Sequence, residues 1–437
     1  MKDAGFHPDR GPAAGAQPQG LGPGAPLPVL TACPPWPTAA PGRRVYVESL
    51  GCVENALASS RLMHFFAAND WRLVESAENA DLVLVNTCGV DEWQERDSLR
   101  KIASLRRTLH DHARMVVTGC LVSINPELLR RSPGGDATLL PVEDSALLAE
   151  ITGATIRLEE VRANRVPERF LRTRLRHFNR VSRLARVYRR LGGTIPGRLE
   201  RALTAFELAD WYFVHISTGC VHACSYCAIR HAKGAIRSRP LNEIVAEVRA
   251  GVESGNRRVV LVGDDTGSYG FDRGADLGDL LEALGEIPGD FGIHVRNLEP
   301  MGLLQMRRRL ETLAAQGHLR AITVPLQSGS DRVLEAMGRQ YRVEPVLRAL
   351  SRLRAVRPDL IVLTHLMVGF PGESRDDFRA TLRMVQRFDF DGVAPGCFSK
   401  RANTPAAGMD HQVPSPTKRW RYWRLLATIV GRVYLRA

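Results

Sequence analysis

The chain has 437 residues, with 60 lysines and arginines against 47 acids for a net charge of +13, and 44% of its residues are hydrophobic. At roughly 150 residues per domain this length allows two or three domains, and the apolar fraction suits packed cores rather than a chain disordered throughout. No run approaches the ~18 uninterrupted apolar residues of a spanning helix, and no apolar stretch follows the first few charges, so membrane-spanning and Sec-secreted readings fall and a cytoplasmic protein is expected. Eight cysteines are too few to staple a chain this long, and in a reducing compartment they suit metal or redox chemistry. The positive excess favours a polyanionic partner, nucleic acid first, and says nothing about fold.

Residues 1–42 hold ten of the 26 prolines and seven glycines with almost no charge, a composition that cannot bury enough surface to offset chain entropy, and they are expected to be a disordered tail. Cys33 within it reads as an incidental thiol. From residue 43 to about 150 the pattern is strand, helix, strand: strands at 45–50, 81–86 and 114–118, helices at 59–68 and 91–107. Cys52, Cys88 and Cys120 each follow one of these strands. If the strands are parallel, all three occupy loops at the carboxyl edge of one small sheet, where open α/β sheets build their sites.

Residues 151–207 break the rhythm as an Arg-rich linker or insertion, with fourteen arginines against four glutamates between 157 and 201. Leu171, Leu175, Phe178, Val181, Leu184 and Tyr188 recur at helical spacing beside an arginine stripe, giving a basic amphipathic helix that either packs between domains or binds a polyanion such as RNA. From 208 to 408 strands and helices alternate as βα units. Six strands are expected at 212–216, 258–262, 292–296, 320–325, 360–366 and 392–398, with helices at 241–253, 277–284, 303–315, 343–355 and 375–387. Six parallel strands with helices outside make a partial (β/α) barrel, whose working face is the carboxyl end of its strands. Residues 409–437 close the sequence with a basic helix from 418 that carries Trp420, Tyr422 and Trp423.

The sharpest signal is Cys220, Cys224 and Cys227, spaced CVHACSYC directly after the first strand of that barrel. Three thiolates on one loop can hold three irons of a cubane cluster and leave the fourth iron open. An open iron can take the amino and carboxylate groups of S-adenosylmethionine (SAM) and pass an electron to its sulfonium, which splits to a 5′-deoxyadenosyl radical. Zinc is the competing reading, but it takes four ligands, and His222 or His231 would have to complete the set.

Residues 43–408 resemble the radical-SAM methylthiotransferases, the MiaB/RimO type. The resemblance rests on Leu50-Gly51-Cys52 with Asn55, Asn86-Thr87-Cys88-Gly89 and Thr118-Gly119-Cys120, then on Gly219 with the three barrel cysteines and Arg237-Ser238-Arg239. It continues through GDDTGSYG at 263–270, PLQSGSD at 325–331, Met337-Gly338-Arg339, VGFPGE at 368–373, and Ser399-Lys400-Arg401 with Thr404-Pro405-Ala406-Ala407. It implies an α/β fold in which a small parallel-sheet domain precedes a partial six-stranded radical-SAM barrel. It also implies an enzyme with two [4Fe-4S] clusters, one on Cys220, Cys224 and Cys227 that cleaves SAM, and a second on Cys52, Cys88 and Cys120 that supplies methylated sulfur. Two SAM would be used to place a methylthio group at an unactivated C–H bond. By the same resemblance Gly263 and Asp264, and Gly369, Phe370, Gly372 and Glu373, line the SAM pocket; no catalytic side chain beyond the cluster ligands is implied.

The family's substrates are a modified tRNA adenosine and an aspartate of a ribosomal protein, and an electron donor such as flavodoxin or ferredoxin would be the further partner. Several positions depart from the family pattern: Arg230 and Lys233 after the barrel cysteines, Ala58 and Ser60 after Cys52, Asp264 for a common Gln, and His365 where an Asp is usual. His365 reads either as a satisfied core histidine or as a changed substrate contact, and Cys397 as core. About thirty residues follow Ala407 and read as helix, leaving no room in this sequence for the family's TRAM-like β-domain. Two alternatives therefore stay open: a radical enzyme acting on a peptide or small metabolite, and an iron–sulfur redox sensor that holds nucleic acid through the basic segment.

Overall fold

The computed structural model describes residues 43–133, 135–142, 144–170 and 211–434. The expected tail at 1–42, with Cys33, and the amphipathic helix of the insertion lie outside the described residues.

The first unit is a five-stranded, all-parallel sheet in the order β2-β1-β3-β4-β5. Its strands are β1 (Arg44–Ser49), β2 (Arg72–Leu73), β3 (Leu82–Thr87), β4 (Arg114–Gly119) and β5 (Thr138–Leu139). β3 is buried at all six positions, as a central parallel strand covered on both faces should be. β1, β3 and β4 are the expected strands, each within a residue of its sequence bounds, and β2 and β5 are two-residue edges too short to show a period. The first helix, Val53–Ala68, begins six residues before the expected start at 59. Asn55, Ser59 and Ser60 are buried there, so their polarity masks the apolar stripe, while hydrogen bonds make burial tolerable: Ser59 Oγ donates to Ser49 Oγ at 2.8 Å and Ser60 Oγ to Arg165 O at 2.8 Å.

The second unit is a seven-stranded sheet ordered β12-β11-β10-β9-β8-β6-β7. Its strands are β6 (Tyr212–Thr218), β7 (Arg237–Ser238), β8 (Arg258–Gly263), β9 (Gly292–Val295), β10 (Leu319–Thr323), β11 (Ile361–Val368) and β12 (Gly392–Cys397). The six expected strands run parallel, and the addition is β7, which pairs antiparallel with the end of β6. The helix expected at 303–315 is two, Pro300–Gln305 and Arg307–Ala315, broken at Met306. The last helix is Ser415–Ile429, running on into a π-helical turn at Val430–Tyr434.

Alternation along each strand divides the two faces of this sheet. Tyr212, Val214 and Ile216 of β6, with Val259 and Leu261 of β8, pack under the helices in the main core, which helix Val343–Val356 enters with Val346, Leu347, Leu350 and Leu353. Burying each such side chain contributes about 1.5–3 kcal/mol. The opposite face, with Trp211, Phe213, Val260 and Val262, shares one hydrophobic core with Val45, Val47, Phe65, Phe66 and Leu84 of the first unit. Val161, Val166 and Phe170 of the linker join that core. The first unit is thus seated on the helix-free face of the second sheet.

Candidate active site

Parallel pairing brings the three N-terminal cysteines together. β1, β3 and β4 are neighbours in the sheet, and Cys52, Cys88 and Cys120 stand at or just past their carboxyl ends. The chain must turn tightly there, and glycine allows it. Gly51 (φ +87°) lies so close to Cys88 that a Cβ would fall 2.2 Å from Cys88 Cβ and 2.6 Å from its Sγ; at Gly119 (φ +97°) a Cβ would fall 2.2 Å from Thr87 O. Side-chain amides tie the loops: Asn55 Nδ2 donates to Leu50 O at 2.8 Å and Thr87 O at 2.9 Å, and Asn86 Nδ2 to Asn55 O at 3.1 Å. Ser98 Oγ accepts from Cys88 N at 3.1 Å and donates to Cys88 O at 3.0 Å, clamping that residue at both backbone groups.

The barrel cysteines follow β6. Gly219 N donates to Asp264 Oδ2 at 2.8 Å, which fixes the start of their loop to the end of β8. Cys220, Cys224 and Cys227 are free of disulfides and partly buried. Burial first, then Asp265 and the neighbouring thiols, pushes Cys220 up to about 12, and burial first pushes Cys227 up to about 11. Cys224 and Cys227 both help raise Cys220, and a cation bound among these thiols reverses the effect by favouring thiolates. The donor set therefore fits a cluster that takes three thiolates.

A buried polar network backs this loop. His222 Nε2 lies 3.2 Å from Asp265 Oδ2, and that hydrogen bond, first among its causes, raises the histidine's pKa. Arg339 donates to Glu299 Oε1 at 3.2 Å and to Tyr226 OH at 2.6 Å. The sequence singled out Arg339 within a motif but gave no sign of its partners.

The two units touch beside their cysteines. Cys120 and Ile124 form one apolar contact group with Ala228 and Ala232, and Ala228 directly follows Cys227. Glu54, two residues past Cys52, pairs with Arg296 at 3.3 Å and accepts from Asn297 Nδ2 at 3.2 Å. A cavity of about 770 Å³ opens between the units, bounded by Glu54, Asn55, Asn86, Gly119, His215, Thr218, Gly263 and Asp264 among others. Gly263 and Asp264 thus sit where both sheets present their carboxyl edges.

The segment from Gly369 to Glu373 is packed by the last helix. Phe370 is fully buried, edge-on to Phe398 at 5.5 Å. Glu373 Oε2 accepts from Gly369 N at 2.7 Å and from Arg421 Nη1 at 2.5 Å, and its side chain has no exposed surface. Gly372 N donates to His411 O at 2.9 Å. Arg421 was missed by sequence reasoning, since nothing local marks a partner 48 residues away. Cys397 is partly buried against the main core. The ring of His365 makes no hydrogen bond among the described residues; burial, then the Arg296 charge, lowers its pKa to about 4.

A cysteine triad spaced CVHACSYC after the first strand of such a sheet defines an enzyme of the radical-SAM class. Residues 214–385 match the radical SAM superfamily, and residues 44–140 match a family described as uncharacterized protein family UPF0004. The tRNA-2-methylthio-N(6)-dimethylallyladenosine synthase of Desulfitobacterium hafniense is 31% identical over 88% of this chain and 81% of its own length. The threonylcarbamoyladenosine tRNA methylthiotransferase MtaB of Thermotoga maritima is 29% identical over 87% and 80%. The chain belongs to the radical-SAM methylthiotransferase family. A solved radical SAM methyltransferase, TsrM from Kitasatospora setae, is similar in fold alone, with a TM-score of 0.54 at 15% identity over 84% of this chain and 77% of that one. The protein is an enzyme, and as a radical-SAM protein it works with a [4Fe-4S] cluster and SAM; the zinc and redox-sensor readings fall. Among the described residues no helix is long and apolar enough to cross a membrane.

Proposed function

We propose that this enzyme inserts a methylthio group at an unactivated C–H bond of a modified adenosine in tRNA. On this reading Cys220, Cys224 and Cys227 hold the cluster that binds SAM, and Cys52, Cys88 and Cys120 hold a second cluster. Two clusters and two SAM supply a 5′-deoxyadenosyl radical and a methylated sulfur when bound. What the chain itself does is position. Asp264 fixes the Cys220 loop through Gly219, and Ser98 with Asn55 fixes the Cys88 loop. The shared core joins the two units.

The observation that carries the proposal is the contact of Cys120 and Ile124 with Ala228 and Ala232, which supports a single site served by both cysteine loops. The names of the relatives support tRNA over a ribosomal-protein aspartate, a peptide or a small metabolite. Gly263, Asp264 and the backbone of the 369–373 segment are proposed to meet SAM, with a flavodoxin or ferredoxin as electron donor. Anaerobic reaction with dithionite and SAM tests the division of labour. Wild-type protein with tRNA should release both 5′-deoxyadenosine and S-adenosylhomocysteine; Cys220→Ala should release no 5′-deoxyadenosine; Cys88→Ala should still cleave SAM but transfer no sulfur. A Cys88→Ala protein that still methylthiolates would overturn the two-cluster reading.

A further inference from the structure

Five tryptophans fall among the described residues, in two groups. Trp71 and Trp211 are buried, whereas Trp93, Trp420 and Trp423 are 61%, 60% and 64% exposed. A tryptophan left in water gives up the large apolar area its ring could bury, so exposed indoles gathered at one place mark a surface built for a partner. Two of them, Trp420 and Trp423, share the last helix, which meets the rim of the second sheet where Lys418 Nζ donates to Phe398 O at 3.1 Å. This rim borders the carboxyl ends of β11 and β12, beside the segment from Gly369 to Glu373.

The helix Ser415–Ile429 is fixed on the rim by Arg421 on Glu373 and by buried Leu425 and Ile429. At 100° per residue its opposite face presents Arg419, Trp423, Trp420 and Arg424, all exposed, and Lys400 is exposed nearby. After Asp410 the sequence carries six lysines and arginines and no acid.

The geometry points to the outward face of this helix as a docking surface for single-stranded RNA, with Trp420 and Trp423 stacking unpaired bases while Arg419, Arg424 and Lys400 meet phosphates. Charge decides the class of partner: the helix Ser415–Ile429 carries lysine and arginines and no acid, which complements a polyanion, and stacking on indoles tolerates any base. The inference rests on the reading of the protein as a tRNA-modifying enzyme, whose target base must be unpaired to be reached.

Fluorescence anisotropy of the full-length, cluster-reconstituted protein with labelled tRNA, over a salt series, tests it. Trp420→Ala/Trp423→Ala should weaken binding about tenfold or more. Arg419→Gln/Arg424→Gln should lower the slope of log affinity against log salt by about one to two. Both should cleave SAM without RNA at the wild-type rate, which shows that they are folded. Wild-type binding untouched by the variants overturns the surface alone, and so does loss in the variants of binding to anionic phosphatidylglycerol vesicles rather than to tRNA. Wild-type protein that binds no tRNA overturns the substrate reading together with it.

Discussion

His215, His294 and His365 stand on β6, β9 and β11, and burial, aided by nearby arginines, lowers all three: His215 to about 3, His365 to about 4, and His294 well below its ordinary value. Their rings are neutral near pH 7 in the folded protein. An unfolded histidine protonates near pH 6.5, so the stability tied to neutral His365 is fully present above that pH and is lost as pH falls toward 4. His365→Gln should therefore flatten the fall of the urea midpoint between pH 6.5 and 4 by about one proton's worth, and an unchanged slope would contradict a buried neutral ring. Arg421 makes a second residue-scale prediction. Without it the Glu373 carboxylate stays buried and uncompensated, which costs about 3–5 kcal/mol, and Arg421→Ala should show that loss in denaturant unfolding. At this scale the sequence revealed donors better than partners. Cysteines declare themselves by spacing, whereas the Arg421–Glu373 and Arg401–Glu95 pairs join residues far apart in the chain, and no local pattern encodes them.

The strands were legible because buried parallel strands read as continuous apolar runs, and the expected bounds lie within two residues of β6, β8, β9, β10, β11 and β12. Where polar groups are buried the reading stopped short: the start of helix Val53–Ala68 hides behind Asn55 and Ser59, both hydrogen-bonded inside. That helix start and the turns before it shape the second triad. Gly119→Ala would place a Cβ against Thr87 O at a positive φ that an alanine disfavours by about 1–2 kcal/mol before the clash is counted. Purified Gly119→Ala protein should carry about half the iron of wild type yet still cleave SAM, because β6 and its loop are untouched. Full iron content in that variant would separate Gly119 from cluster assembly.

How the two units are joined was not legible at all. Besides the shared core, Arg401 crosses from the end of the second unit to the loop after Cys88, donating to Gly89 O at 3.3 Å and to Glu95 Oε2 at 2.9 Å with only 5% of its side chain exposed. Arg401→Ala should destabilise the junction by about 3 kcal/mol and make the calorimetric unfolding of the two units less concordant; a single unshifted transition would show that the shared core suffices. Charge was legible only in part. The strongest basic run lies in the insertion, but Trp420 and Trp423, which give the positive surface a direction, sit at the rim of the second sheet. On the proposed function both triads serve one reaction on RNA. Mass spectrometry of tRNA nucleosides from cells with the wild-type protein, with Cys88→Ala and with no protein checks this. The expected result is a modified adenosine carrying the added mass of a methylthio group in the wild type alone. The same tRNA nucleosides in all three cell lines would contradict it.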